Sequence, residues 1–208
     1  MGSTRTGDAD PQIYLASRSP RRAELLAQIG IRFALAPADT DETPRQGESP
    51  RDYVSRVALD KARAAASALG SAAALPVLAA DTAVVSGDRI LGKPRDEAEA
   101  LAMLRALSGS THRVLTGVCL AVGQAMRSVV SESQVSFRPI SEAEMRRYWQ
   151  TGEPCDKAGG YAIQGLGALF VTHLRGSYSG VMGLPLCETG QLLERAGIGL
   201  IAVGEAGA

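Results

Sequence analysis

The sequence predicts an α/β fold built as one unit, and three observations carry the prediction. Short apolar runs suited to buried strands alternate with segments that open on a helix-capping residue and repeat apolar side chains every three or four positions. The 208 residues suffice for one substantial domain or for two closely packed lobes. No internal repeat, low-complexity tract or linker interrupts the pattern.

Residues 1–11 are polar, rich in Gly and Asp, and lack the apolar stretch of a signal peptide; they read as a disordered leader before a single domain over 12–203. Residues 13–16 predict a buried strand. Ser19 then stands as N-cap with Pro20 at the first helical position, and the helix carries Leu25, Leu26 and Ile29 until Gly30 stops it. Residues 31–35 read as a strand and 37–48 as a loop rich in Pro, Asp, Thr and Glu. Ser49 and Asp52 open a second helix with capping-box spacing, and its apolar stripe runs from Tyr53 through Val57 to about Leu69. Residues 75–80 form a continuous apolar run closed by Asp81 and Thr82, which predicts a central strand ending there.

Val84, Val85, Ile90 and Leu91 flank a Ser-Gly-Asp turn and predict a small hairpin. A third capped helix opens at 96–99 and ends at Ser108 and Gly109. Residues 113–122 and 126–137 alternate as two long strands joined at Gly123 and Gln124. Ser141 caps a helix with Met145, Tyr148 and Trp149 on its inner face, and Gly152 ends it. The Gly-rich run 159–167 leads into a strand over 168–174. After the Gly-bounded segment 176–183, Pro185 starts a final helix through Arg195.

Lys+Arg and Asp+Glu both total 22, so no global field draws the chain to nucleic acid or to an acidic membrane, and any anion binding must be local. No apolar run nears the ~20 residues that span a bilayer, and a cytoplasmic location is expected. Cys119, Cys155 and Cys187 are odd in number, scattered and without a CxxC pair, so they read as reduced, mostly structural thiols. With His112 and His173 as the only histidines, a His-rich zinc site is a poor fit.

The sharpest local signal is Ser17-Arg18-Ser19-Pro20-Arg21-Arg22. Arginines in a first helical turn sit against the positive end of the helix dipole, where an anion is favoured instead. A strand leading to such a turn suits a phosphate cradle, with Arg21 or Arg22 gripping oxygens bidentately; the ordinary alternative is that both reach Glu24 or solvent. A carboxylate at Asp81, at the carboxyl end of a buried strand, would point into the crevice where α/β proteins bind ligands. There it could hold Mg²⁺ or accept a proton from water, or simply cap the next turn. Lys61, Lys93 and Lys157 could neutralise phosphate charge, although solvated lysines are the ordinary case. Asp41 and Glu42 could complete a metal site. Residues 87–93 match the spacing of a P-loop, but Pro94 follows where a hydroxyl is needed for Mg²⁺, so that motif is rejected.

Taken together, these pieces resemble the Maf family. The matching segments are Leu15-Ala16-Ser17-Arg18-Ser19-Pro20-Arg21-Arg22, Val57-Ala58-Leu59-Asp60-Lys61-Ala62, Ala80-Asp81-Thr82-Ala83-Val84 and Ile90-Leu91-Gly92-Lys93-Pro94. They continue with Met103 to Gly109, His112, Thr116-Gly117-Val118, the run from Gly152 to Gly165, and Gly183-Leu184-Pro185-Leu186. The ordered set covers residues 13–199. The resemblance implies a mixed sheet, strongly twisted and related to inosine-triphosphatase-like enzymes, with two lobes around a central cleft. It implies a metal-dependent pyrophosphatase that cuts nucleoside triphosphates to monophosphate and pyrophosphate.

By the same resemblance Asp81 matches the catalytic acid, Ser17, Arg21 and Arg22 the phosphate-contacting turn, and Lys61, Lys93 and Lys157 the cleft lysines. Glu42 matches a metal-associated acid, and with Asp81 it would hold Mg²⁺ or Mn²⁺. Arg21, Thr82 and Gln164 match positions linked to base choice. The run from Asp156 to Gly165 looks like the branch that acts on dTTP and UTP, and the amide of Gln164 suits a pyrimidine edge because it both donates and accepts. Gly180 departs from the asparagine of many relatives and is expected to loosen its loop. Members often form homodimers, although no seam is legible in this chain. The alternatives are a 7-methyl-GTP pyrophosphatase and a nucleotide-binding regulator of cell division.

Overall fold

A computed structural model describes residues 10–70 and 75–200. The expected leader therefore falls outside the described residues except for Asp10 and Pro11, as do the last three residues of the expected domain. The strands are β1 (Ile13–Leu15), β2 (Phe33–Leu35), β3 (Val77–Ser86), β4 (Arg89–Leu91), β5 (Thr111–Val122), β6 (Ala125–Phe137) and β7 (Val171–Arg175). The helices are α1 (Pro20–Gln28), α2 (Pro50–Leu69), α3 (Glu97–Leu107), α4 (Glu142–Gln150), α5 (Tyr178–Met182) and α6 (Leu186–Glu194). The strands make one mixed sheet in the order β2-β1-β3-β5-β6-β7, with β4 also on β3. β1 runs parallel to both β2 and β3, and the remaining pairs are antiparallel.

Helix starts follow the capping chemistry of the sequence. Ser49 Oγ accepts from the Asp52 N–H, Asp96 from the Glu99 N–H, and Ser141 forms a reciprocal capping box with Glu144. The 20-residue α2 covers one face of the sheet along its length. Its Ala58, Ala62 and Ala65 pack on Val77, Ala79, Cys119 and Ala121, and its Tyr53, Val54 and Val57 pack on Ala83, Val85 and Leu115. Two other clusters cover the opposite face. Leu25, Leu26, Leu192 and Leu193 of α1 and α6 pack there on Leu78, Ala80, Val118 and Leu120. Leu101, Leu104, Met145 and Tyr148 of α3 and α4 pack on Val84, Val114 and Val135. The sheet is thus buried on both faces at β3, which is why β3 reads as apolar on either side of Asp81 and Thr82.

Several expectations are corrected. The central strand does not end at Ala80: β3 continues through Asp81 and Thr82 to Ser86, because the β-branched residues beyond the acid pair with β5 as far as Val85. Residues 166–170 form a 3-10 turn rather than the start of a strand, so β7 begins at Val171. The segment 176–183, given no element by the sequence, contains α5, capped by Ser177 Oγ on the Gly180 N–H. Trp149 lies half-buried at the edge of the inner face of α4, whereas Met145 and Tyr148 are buried. Gly180 is itself buried in the short helix α5 rather than in a loop, and its carbonyl accepts from Thr116 Oγ1 at 2.8 Å.

One feature of the topology makes room for a site. On one edge of β3, β1 pairs only with Val77 and Leu78, and β4 pairs only with Val84, Val85 and Ser86. Among the described residues, no strand pairs with 79–83 on that edge. A cleft opens at this gap, with β1, β2, α1 and α6 on one side and β4, α3 and α4 on the other.

Candidate active site

The chain leaving β1 supplies the first wall. Ser17 is buried, and its Oγ accepts from the Ser19 N–H at 3.1 Å and from Arg22 Nη1 at 3.2 Å. Ser19 holds the N-cap position of α1, but its hydroxyl makes no capping bond, so no side-chain oxygen competes for the first-turn amides. Arg22 is fixed from three sides: Nε donates to Gly183 O at 2.8 Å, Nη1 to Ser17 Oγ, and Nη2 to Thr82 Oγ1 at 3.2 Å. Burial pulls its pKa below the ordinary arginine value, against the raising influence of Asp81, and the guanidinium stays charged. Arg21 is held only loosely, with Nη1 3.7 Å from Asp156 Oδ2.

The period of two along β3 then assigns two neighbours to opposite faces. Asp81 lies with Ala79 and Ala83 on the α2 face, and Thr82 lies on the α1 face with Arg22. Lys61 Nζ reaches Asp81 Oδ1 at 2.8 Å and Glu42 Oε1 at 2.8 Å. Asp81 is 5% exposed, and its second oxygen, Oδ2, is buried without a hydrogen-bond partner. Leaving a buried acceptor unmatched costs about 1–3 kcal/mol, more if charged, so that oxygen is held ready for something the chain itself does not supply.

Glu42 comes from the acidic loop 37–48, whose shape is set by α2. Arg56 clasps Glu48 through Nε at 2.5 Å and Nη2 at 2.9 Å, and also donates to Thr43 O at 3.1 Å. The Arg56 hydrogen bonds hold the Glu48 carboxyl down at about 2. Tyr53 Oη donates to Glu42 O at 2.9 Å, fixing the backbone at the acid itself.

The far wall carries Lys93, Lys157 and Gln164. Lys93 is exposed after β4, and its neighbour Gly92 accepts at O from the Gly159 N–H at 2.9 Å, tying this turn to the glycine-rich segment. Lys157 pairs with Asp156. Gln164 is exposed toward the same space. Ser17, Arg21, Arg22, Glu42, Lys61, Asp81, Thr82, Lys93, Lys157 and Gln164 all line one cleft of about 660 Å³. That volume lies within the range of small-molecule sites. The residues 87–93 that mimic a P-loop instead form the β3–β4 turn, β4 and the start of the loop after it, and the next helix, α3, opens only at Glu97.

A model of the family described as Maf-like protein matches residues 12–196. The chain belongs to the Maf family. It is 52% identical over 197 residues to the dTTP/UTP pyrophosphatase of Pasteurella multocida, covering 92% of this chain and 98% of that protein. It is 54% identical over 189 residues to the dTTP/UTP pyrophosphatase of Saccharophagus degradans (90% of each). It is 55% identical over 187 residues to that of Alkalilimnicola ehrlichii (88% and 92%). Among solved structures, the Staphylococcus aureus Ham1 protein aligns over 60% of this chain and 71% of its own, at a TM-score of 0.43 and 16% identity.

In this Maf chain the sequence singled out the charged groups just described except Asp156, Arg56 and Glu48. Asp156 joins Arg21 and Lys157, and only its place beside Lys157 hints at the pairing. Arg56 follows Tyr53 by three on α2, a spacing that puts both on one face, toward the acidic loop. Thr116 and Gly183, which complete the seat of Arg22 and Thr82, stand in segments that match the family, but nothing in the sequence assigns them this role. No group of three or more His, Cys, Asp or Glu able to hold a metal occurs among the described residues. Asp81 and Glu42 nevertheless fit a hard divalent cation. They offer a buried unmatched oxygen and a half-exposed carboxylate on one cleft, and Mg²⁺ takes one or two carboxylates and completes its shell with water and substrate phosphate. No helix among the described residues is long and apolar enough to cross a membrane.

Proposed function

We propose that this chain hydrolyses dTTP and UTP to the monophosphate and pyrophosphate, at the cleft between β1 and β4. One observation carries the reading: the buried, unmatched Asp81 Oδ2 shares a single cleft with Arg21, Arg22, Lys61, Lys93 and Lys157. Such an arrangement suits phosphoryl transfer, in which positioning and charge stabilisation do most of the catalysis. The named relatives supply the pyrimidine choice.

Asp81 orients a water toward the α-phosphorus and takes its proton, with Lys61 holding the carboxylate in place. Pyrophosphate leaves while Arg21, Lys93 and Lys157 offset charge on its oxygens. Arg22, anchored by its three hydrogen bonds, supports the turn that receives the phosphates together with Ser17. Thr82 and Gln164 face the nucleoside, and the Gln164 amide matches a pyrimidine edge. Asp81 and Glu42 would hold Mg²⁺ or Mn²⁺, which, when bound, supplies Lewis-acid polarisation of phosphate oxygens. The domain extends over 12–203. A nucleotide substrate and three free cysteines accord with the cytoplasm.

Product analysis tests the reading. With dTTP labelled at the α-phosphate, thymidine monophosphate and pyrophosphate are expected, and dTTP and UTP are expected to outrun 7-methyl-GTP. Release of diphosphate and inorganic phosphate would remove the assignment, and preference for 7-methyl-GTP would move the chain to the other branch.

A further inference from the structure

Gln164 sits at the tip of a turn whose backbone is held from behind by one side-chain pair. Tyr148 of α4 and Glu153, at the start of a 3-10 turn, do not line the cleft. Tyr148 Oη accepts from the Ala162 N–H at 3.1 Å and donates to Glu153 Oε1 at 2.6 Å. Glu153 in turn accepts from the Leu166 N–H at 2.9 Å and from the Gly167 N–H at 2.9 Å. The same phenol–carboxylate pair therefore grips the chain before Ile163 and after Gly165, leaving Ile163 and Gln164 to face the cleft.

The glycines agree with this arrangement. A Cβ on Gly165 would fall 2.2 Å from Glu153 Oε2, and one on Gly167 would fall 2.7 Å from Ala162 O and 2.8 Å from Tyr148 Oη. Both positions are bare because the clamp occupies the space of a side chain. A carboxylate that satisfies two consecutive amides and a phenol fixes a loop more tightly than one hydrogen bond does.

We infer that Glu153, acting with Tyr148, is a positioning residue for base selection: it sets where Gln164 meets the nucleobase without touching substrate. The inference rests on the reading of Gln164 as the group that contacts the base. A pre-set amide discriminates because the wrong base leaves its donor or acceptor unmatched, and a turn free to shift loses that penalty.

The test is a ratio. The kcat/KM for dTTP is divided by that for dGTP in wild type, Q164A, E153A and Y148F, so that partial unfolding, which removes active enzyme equally for both substrates, cancels. The ratio is expected to fall about tenfold in Q164A and E153A and less in Y148F. The inhibition constant of inorganic triphosphate, which has no base, is expected to stay unchanged in all three. A wild-type ratio in E153A and Y148F with a collapsed ratio in Q164A overturns the clamp while leaving base contact standing. A wild-type ratio in Q164A overturns the base contact itself. Weakened triphosphate inhibition with an unchanged ratio would place the clamp's effect at the phosphates and also overturn the inference.

Discussion

Asp81 shows how a single residue can be shaped for work at the expense of its own comfort. Its Oδ1 is matched by Lys61, while its Oδ2 is buried and unmatched. A group chosen for stability alone would not leave that oxygen bare, and strain of this kind gathers where function needs it. Replacing Asp81 with Asn keeps the shape, removes the buried charge and offers Lys61 an amide oxygen. Pyrophosphate release by D81N is expected to fall roughly 10²–10⁴-fold, the worth of a general base, with a melting temperature equal to or above wild type. A melting temperature that falls with activity would instead make Asp81 a structural anchor. Lys61 was legible only through the family resemblance, as one of three cleft lysines, and its burial became plain with the structure. It lies four residues from Val57 and from Ala65, inside the buried stripe of α2, where an unpaired lysine is seldom tolerated. Glu42 too was legible only by that resemblance, since an exposed loop of several acids carries no periodicity to single one out.

At the scale of elements, the site depends on how closely α2 lies on the sheet. Gly117 of β5 is directly opposite Asp81, and a Cβ there would fall 2.3 Å from Val54 O and 2.7 Å from Val54 C in α2. The obstacle is backbone, which cannot swing aside as a side chain can. G117A should push α2 off the sheet and withdraw Lys61 from Asp81. The expected loss of stability is about 2–4 kcal/mol, read by urea unfolding, together with a drop in kcat. Full stability in G117A would mean that α2 can shift without strain and that the close approach is incidental. The strand pattern was readable because apolar runs record burial. The continuation of β3 through Asp81 was not, since a lone acid in such a run looks like an end until its partner strand is known.

Across the whole molecule, the two ends of the sheet are covered by separate clusters, and His112 lies within the one that supports the far wall. It is 2% exposed, its Nε2 is 2.8 Å from Tyr161 Oη, and Phe137 and Tyr161 pack edge-on against it. Burial pulls its pKa to about 4. Above its ordinary value of about 6.5 the imidazole is neutral folded or unfolded and pH has no hold on it. As pH falls below 6.5 the unfolded chain takes up a proton that the folded chain refuses until about pH 4, so this histidine destabilises the fold progressively across that window. The loss is on the order of 2 kcal/mol between pH 6.5 and 5. Urea midpoints at pH 7 and 5 should therefore differ more in wild type than in H112N; equal differences would count against the neutral, buried state. The motif containing His112 was visible in the sequence, but its packing against Tyr161, 49 residues away, was not.

The amino-acid order by itself determined the class of fold, the helix starts, the buried face of α2 and the residue types that suit a triphosphate. Each of these is written locally, in capping residues and in periods of two and 3.6. Only the tertiary structure decided that β1 and β4 leave one edge of β3 open at 79–83 between them. Likewise only the folded chain shows that Arg22 is seated on a carbonyl 161 residues away and that Glu153 stands behind Gln164. Contacts of that kind join segments with no shared periodicity, so their partners emerge only when the sheet sets the register and brings the loops to one cleft.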